Sequence, residues 1–345
     1  MALSSCGWTL AEVHQAPIRP GRSDKLYIFG WAQYTDDELL RNFKAQTGIE
    51  AIANVYDSNE VMLAKVRAGG GSEYSIIYPS DYMVKQMVKI GLLSRLDHAK
   101  IVGLDSLFPQ FQNPTYDPGN RYSVPVSWGT TGLVYNADKL KPAPTDWDYL
   151  WQHRQQLINR VTLLSDVREV MGAVLRSLGY SYNSTDPQQL KQAYQKLVEL
   201  KPAIASFTSD AWRNQILTGD LLIAMSYSPD AIEVTEENPR LKYVIPQSGT
   251  SVWTDTMVIP KTAPNPDGAY AWINYVLQPS VAAQFCKRLH FATPNQAVFD
   301  QLPVELRNNP SLFPPDSQLA QSERIAPLWD FTEVYEHYWT QLTSS

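Results

Sequence analysis

The sequence predicts an α/β protein of two lobes, each a mostly parallel sheet flanked by helices. Three observations carry that reading. The chain has 345 residues, about twice the ~150 residues of a common domain. Strand-like and helix-like segments alternate along it, as crossover-connected parallel strands require. After a turn-rich stretch at Asn113–Asn120, a second set of such units begins near Val161.

The first set opens with Lys25–Gly30 (KLYIFG), which reads as a strand. Thr35-Asp36-Asp37-Glu38 then has the form of a capping box, with Leu39, Leu40 and Phe43 on one helical face and Gly48 as the stop. Ile49–Tyr56 is a second strand, and Asp57-Ser58-Asn59-Glu60 caps a helix that runs to Gly69-Gly70-Gly71. That glycine triplet lacks the Lys-Ser/Thr of a phosphate loop and reads as a turn. Ser75–Pro79 is a third strand, and Asp81 starts a helix carrying Met83, Val84, Met87 and Val88. Extended segments follow at Ser123–Ser127 and Gly132–Asn136. In the second set, Val161–Ser165 is a strand from which Asp166 opens a helix ending at Gly179. Asp186-Pro187 caps another helix to Leu200, with proline where its missing N–H costs least. Leu221–Ser226 and Trp253–Pro260 are strands, and Asp267–Leu277 is a helix ended by Pro279.

Composition removes several function classes. Hydrophobic residues make up 44% of the chain and charged residues 19%, which excludes a disordered chain. Lys and Arg number 29 against 35 Asp and Glu, a net charge of −6 that lacks the basic footprint nucleic acid demands. The longest apolar runs, such as Leu221–Met225, fall far below the ~18 residues that span a bilayer. Two cysteines, Cys6 and Cys286, build no disulfide framework, and five scattered histidines make no zinc motif, so neither metal nor cofactor is expected. Leu3-Ser4-Ser5-Cys6 matches the lipobox of bacterial lipoproteins, with Cys6 as the lipidation site and residues 1–24 as a tether. Only Met1 and Ala2 precede that motif, so the usual charged and apolar leader is missing from it, and chance is the competing explanation.

The unusual residues gather after the strands. Trp31 and Tyr34 follow the first, Asp57 the second, and Ser80, Asp81 and Tyr82 the third; Asp166 and Glu169 follow Val161–Ser165, and Tyr227 and Asp230 follow Leu221–Ser226. Ligands of open α/β sheets bind beyond the carboxyl ends of the strands. Rings and carboxylates placed there suit an organic cation, held by cation–π contact and charge-assisted hydrogen bonds. Each residue also has a structural reading. Asp57 with Glu60 and Asp166 with Glu169 have helix-cap spacing, Trp31 and Tyr34 could be core, Asp230 could serve a turn after Pro229, and Arg168 could pair with an acid beside it.

With those residues in view, the chain resembles the bacterial spermidine/putrescine-binding periplasmic proteins, the substrate-binding subunits of polyamine ABC transporters. The likeness runs from about Lys25 to the C-terminus. It rests on Trp31-Ala32-Gln33-Tyr34, Asp57-Ser58-Asn59-Glu60, Pro79-Ser80-Asp81-Tyr82, Trp128-Gly129, Asp166-Val167-Arg168-Glu169-Val170, Leu178-Gly179-Tyr180, Trp253-Thr254-Asp255 and Thr293-Pro294-Asn295. The resemblance implies a type II periplasmic-binding-protein fold hinged between lobe 1 (25–130 and 254–299) and lobe 2 (131–253 and 300–345). It implies an aromatic box of Trp31, Tyr34, Tyr82 and Trp253, amine contacts from Asp166, Glu169 and Asp255, and a hydrogen bond from Ser80. Tyr227 stands where relatives have Trp, and Phe291 where they have Tyr. Ala32 and Gln33 replace Thr and Glu, and the region around Arg324-Ile325 replaces a Gln, with Asp81 or Asp230 as candidate compensating acids.

The resulting expectation is an exported, monomeric binding protein, not an enzyme, that captures spermidine or putrescine and hands it to a membrane permease. A ferric-iron or sugar ligand on the same scaffold is the nearest alternative, and a glycoside hydrolase using paired carboxylates a more distant one.

Overall fold

The computed structural model describes residues 24–31, 34–56 and 58–344. Cys6 with its tether, Ala32, Gln33 and Asp57 lie outside the described residues. Nine strands appear among those described: β1 (Lys25–Gly30), β2 (Glu50–Val55), β3 (Ile76–Ile77), β4 (Ser123–Asn136), β5 (Val161–Leu163), β6 (Ile204–Phe207), β7 (Ile223–Tyr227), β8 (Leu241–Val244) and β9 (Val252–Val258). They follow the order β2-β1-β3-β9-β4-β7-β5-β6, with β8 also on β4.

Two parallel groups, β2-β1-β3 and β7-β5-β6, each form the sheet of one lobe. Antiparallel strands join them. The first half of β4, Ser123–Thr130, pairs with β9 in the first lobe. Its second half, Thr131–Asn136, pairs with β7 and β8 in the second lobe. All fourteen residues of β4 are buried, which is why one strand can serve two cores. Sequence reading divides it into two segments, Ser123–Ser127 and Gly132–Asn136. The break is instead a bulge between Pro125 and Ser127, where proline has no N–H to donate.

Two more connections cross between the lobes. One links β8 to β9. The other is the segment around Glu323, which lies alongside it: Val252 N donates to Glu323 O at 2.9 Å and Glu323 N to Thr250 O at 2.8 Å. Helix Thr332–Thr343 then packs on helices Val167–Ser177 and Pro187–Leu200, burying Tyr335 and Leu342 in the second core. Leu306, Leu312, Phe313 and Leu319 pack with Leu107, Phe111 and Trp128.

The helix starts fall where cap chemistry places them, with two shifts of one residue. Asp36 rather than Thr35 caps Asp37–Thr47, its carboxylate accepting from Leu39 N at 2.7 Å, and Gly48 closes the helix at φ 75°. Ser58 caps Asn59–Arg67 by accepting from Val61 N. Each cap stands three residues before the amide it serves, the reach a short side chain has at the start of a helix. Leu39 and Phe43 are buried, as are Met83, Val84 and Met87 of Asp81–Lys89.

Gly129 lies where β4 passes beneath the Trp253 indole. A Cβ there would lie 2.4 Å from the Trp253 ring and 2.6 Å from Ser228 Oγ, so only glycine fits. Gly129→Ala is expected to destabilise the protein by about 1–3 kcal/mol through overpacking, measured as a lowered urea midpoint at unchanged slope.

Candidate functional site

The first lobe contributes a carboxylate held entirely by hydroxyls. Asp255 lies on β9, buried; its Oδ2 accepts from Tyr34 Oη at 2.8 Å and its Oδ1 from Ser80 Oγ at 2.7 Å. Ser80, at the turn after β3, is fixed by Asn59, which accepts from Ser80 N and donates to Ser80 Oγ, each at 3.1 Å. The Tyr34 hydroxyl also meets Ser127 Oγ. Burial pushes the Asp255 carboxyl up to about 6. The hydrogen bonds oppose that rise and the nearby Asp81 charge adds to it.

The second lobe contributes a pair. Asp166 caps helix Val167–Ser177, accepting from Arg168 N at 2.8 Å and Glu169 N at 3.2 Å. Glu169, one turn on, is buried against hydroxyls: Tyr182 Oη donates at 2.6 Å, and Ser251 Oγ lies 2.8 Å from Oε2. Burial raises both acids, and the charge of Asp166 helps drive Glu169 up to about 7. Asp166 is thus both a cap and a cleft carboxylate; one oxygen serves the amides, and the Tyr227 hydroxyl also bonds it.

Rings close the space between. Tyr34 stacks on Phe291 with centroids 4.8 Å apart. Trp253 stands edge-on to Tyr227 at 6.0 Å and to Phe291 at 6.2 Å. Trp31 leans on Tyr56 at 4.5 Å. The indole Nε1 atoms of Trp31 and Trp253 are buried without a hydrogen-bond partner among the described residues. From the first lobe, Tyr82 donates its hydroxyl to Glu60 at 2.9 Å. Glu60 in turn feels the charge of Asp166 across the cleft, and burial with that charge raises its carboxyl. The two halves of the site therefore face each other.

Two acids are already spoken for. Asp81, buried at the start of helix Asp81–Lys89, is ion-paired to Arg324 Nη1 at 2.7 Å. Asp230 pairs with Arg213. Neither is open to compensate for Gln33. Arg168 does not bridge to Asp166 or Glu169; it donates to Ala326 O at 2.8 Å and Asn183 Oδ1 at 3.2 Å and lies over Tyr82. Asp255, Asp166 and Glu169 have no Lys or Arg within ion-pair distance among the described residues. Among those residues no group of three His, Cys, Asp or Glu side chains could hold a metal ion, and no helix is long and apolar enough to cross a membrane.

Sequence reasoning missed four supporting residues. Glu60 stood in view only as part of a cap; its position beyond β2 was the available signal. Asn59, Tyr182 and Ser251 had none, because their roles arise from packing across 21, 13 and 82 residues of chain.

Two α/β lobes sharing three connections, with acids and rings facing one another across the junction, define a two-lobed binding protein of the type II periplasmic class. The chain belongs to the bacterial extracellular solute-binding protein family, whose model matches residues 38–314. It is 35% identical over 321 residues to the spermidine/putrescine-binding periplasmic protein of Salmonella typhimurium, covering 93% of this chain and 92% of that one. It is 34% identical to the spermidine/putrescine-binding periplasmic protein 1 of Haemophilus influenzae, covering 99% and 95%. The solved spermidine/putrescine ABC transporter substrate-binding protein of Streptococcus pneumoniae superposes with a TM-score of 0.80 at 38% identity, covering 93% of this chain and 99% of its own.

The raised carboxyls fix a sign for pH dependence. A carboxyl whose folded pKa lies above its unfolded value costs stability as pH rises from about 4 through its folded pKa. Asp255→Asn is therefore expected to raise the thermal midpoint of the ligand-free protein at pH 8. At about pH 3, below the pKa of this acid in both the unfolded and the folded chain, the two proteins should melt together.

Proposed function

We propose that this chain is an extracytoplasmic solute-binding protein that captures polyamines and delivers them to the membrane permease of an ABC transporter, without catalysis. One observation carries the reading: three carboxylates on two facing lobes, Asp255 and Glu169 buried and Asp166 half-buried, are hydrogen-bonded but form no ion pair with Lys or Arg among the described residues, Arg168 reaching Asp166 only through its charge. Such groups are expensive to bury unless a positive charge joins them. An alkyl diamine or triamine supplies that charge at spacings a chain of methylenes sets.

In this reading Asp166 and Glu169 take one ammonium and Asp255 another, with Ser80 orienting Asp255. Trp31, Tyr34, Tyr82, Tyr227, Trp253 and Phe291 enclose the methylenes, each buried CH2 contributing ~0.8 kcal/mol, and offer ring faces to the ammonium groups. Asp81, held by Arg324, is left out of the set. The names of the relatives support the ligand class, and the aromatic content of the cleft supports an organic rather than a hydrated inorganic cation. Closure with the ligand between the lobes makes the closed form the species a permease recognises. Cys6, in the lipobox-like Leu3-Ser4-Ser5-Cys6, is the proposed lipid attachment point.

Titration calorimetry with putrescine and spermidine tests this. Binding is expected, weakening with salt, and each of Asp166→Asn, Glu169→Gln and Asp255→Asn should cost about 1.5–3 kcal/mol, roughly 10–150-fold in Kd, as loss of a charged hydrogen bond does. No heat with either amine at hundreds of micromolar would overturn the reading. For the anchor, intact mass of the protein from a bacterial membrane fraction should carry a diacylglyceryl increment on Cys6; an unmodified thiol overturns that part alone.

A further inference from the structure

Both lobes wall a cavity of about 440 Å³ next to Tyr82. The first lobe gives it Glu60, Tyr82 and Met83, and the second gives Val167, Arg168 and Tyr335. Contacts tie this space to the proposed polyamine cleft. Tyr82, one ring of the aromatic box, donates its hydroxyl to Glu60 Oε1 at 2.9 Å. It packs in one core cluster with Tyr56, the ring on which Trp31 leans. Across the gap, the Arg168 guanidinium lies 5.7 Å from the Tyr82 ring centroid, while the Arg168 amide donates to Asp166 at 2.8 Å. One residue of the second lobe therefore contacts both Asp166 and the wall of the cavity.

Carboxylates outnumber guanidiniums around this space: Glu60, Asp330, Glu333 and Glu336 against Arg67 and Arg168. Asp330, Glu333 and Glu336 are exposed, and Glu60 is half-buried. Glu60 forms no ion pair with Lys or Arg among the described residues, Arg168 reaching it only through its charge. The Arg168 Nη2 is turned to Asn183 Oδ1 and Ala326 O. The ring of Trp329, also on the wall, has Lys89 Nζ 3.8 Å from its centroid, so that face is taken. Burial and the charge of Asp166 raise the Glu60 carboxyl, the response of an acid held out of water with no cation against it.

We infer that Glu60 holds a further ammonium in this cavity, beyond those taken by Asp255 and by Asp166 with Glu169, so that the whole site spans a triamine. The inference rests on the polyamine reading above and deepens it by fixing the length and charge of the ligand. A diamine that joins Asp255 to Asp166 and Glu169 leaves Glu60 without a cation. A triamine continues past Tyr82, its methylenes lying along that ring. The Tyr82 hydroxyl orients the Glu60 carboxylate through Oε1, and the third ammonium donates to Oε2.

Titration calorimetry with spermidine and putrescine on the wild type, Glu60→Gln and Glu336→Gln tests this. The wild type should bind spermidine more tightly than putrescine. Glu60→Gln should weaken spermidine by about tenfold or more, the scale of one charged hydrogen bond, and putrescine by no more than about twofold. Glu336→Gln removes an exposed charge from the same cavity and should change spermidine by no more than about twofold. Three results overturn the role of Glu60 while leaving the polyamine reading intact: tighter wild-type binding of putrescine, equal weakening of both amines by Glu60→Gln, or an equal loss of spermidine affinity in the two variants. Absence of amine binding in the wild type overturns both. If Glu60→Gln does not fold, a crystal structure of the wild type grown with spermidine decides. A terminal nitrogen within about 3 Å of the Glu60 carboxylate is the expected result, and three nitrogens all bound elsewhere overturn the inference.

Discussion

The structure turns on the burial of three carboxylates that form no ion pair with Lys or Arg among the described residues, the charge of Arg168 acting on Asp166 alone among them. Asp255, Asp166 and Glu169 are each surrounded by hydroxyls, amides and rings. Hydrogen bonds lower the cost of an ionised acid but do not remove it, and the carboxyls respond by rising well above their ordinary range. Two other acids form a contrast. Asp81 and Asp230 are matched by Arg324 and Arg213, whereas Asp255, Asp166 and Glu169 form no ion pair with Lys or Arg among the described residues.

Connectivity carries both halves of the site on one frame. β4 contributes to both sheets, β9 follows β8 across the same boundary, and the Glu323 segment lies beside them. The acids are distributed over this frame so that each lobe stabilises its own: Ser80 and Tyr34 hold Asp255 in one, Tyr182 holds Glu169 in the other. Ser251, adjacent to a crossing and bonded to Glu169, ties the second half to the connection itself.

Much of the architecture was legible because its signals are local. Capping residues, the period of Leu39 and Phe43, and the strand runs around Ile76 and Val161 depend on neighbours in the chain. The rim residues were found by the same logic, since Trp31, Ser80 and Asp166 follow strands and Tyr227 ends β7. Asp255 was not, because it sits within β9 rather than beyond it, and only the resemblance to known binding proteins brought it in. The single long β4 was hidden by Gly129, whose purpose is a contact with Trp253 from 124 residues away. The Asp81–Arg324 pair was equally out of reach, because nothing in either local sequence says that 243 residues of chain bring the two together.

A crystal structure of the protein grown with putrescine tests the central claim most directly. The account predicts closed lobes with one ammonium nitrogen within about 3 Å of Asp166 or Glu169 and the other within about 3 Å of Asp255. An amine bound outside the cleft, or a cleft that takes up a neutral or anionic ligand while those three acids stay uncompensated, would contradict it.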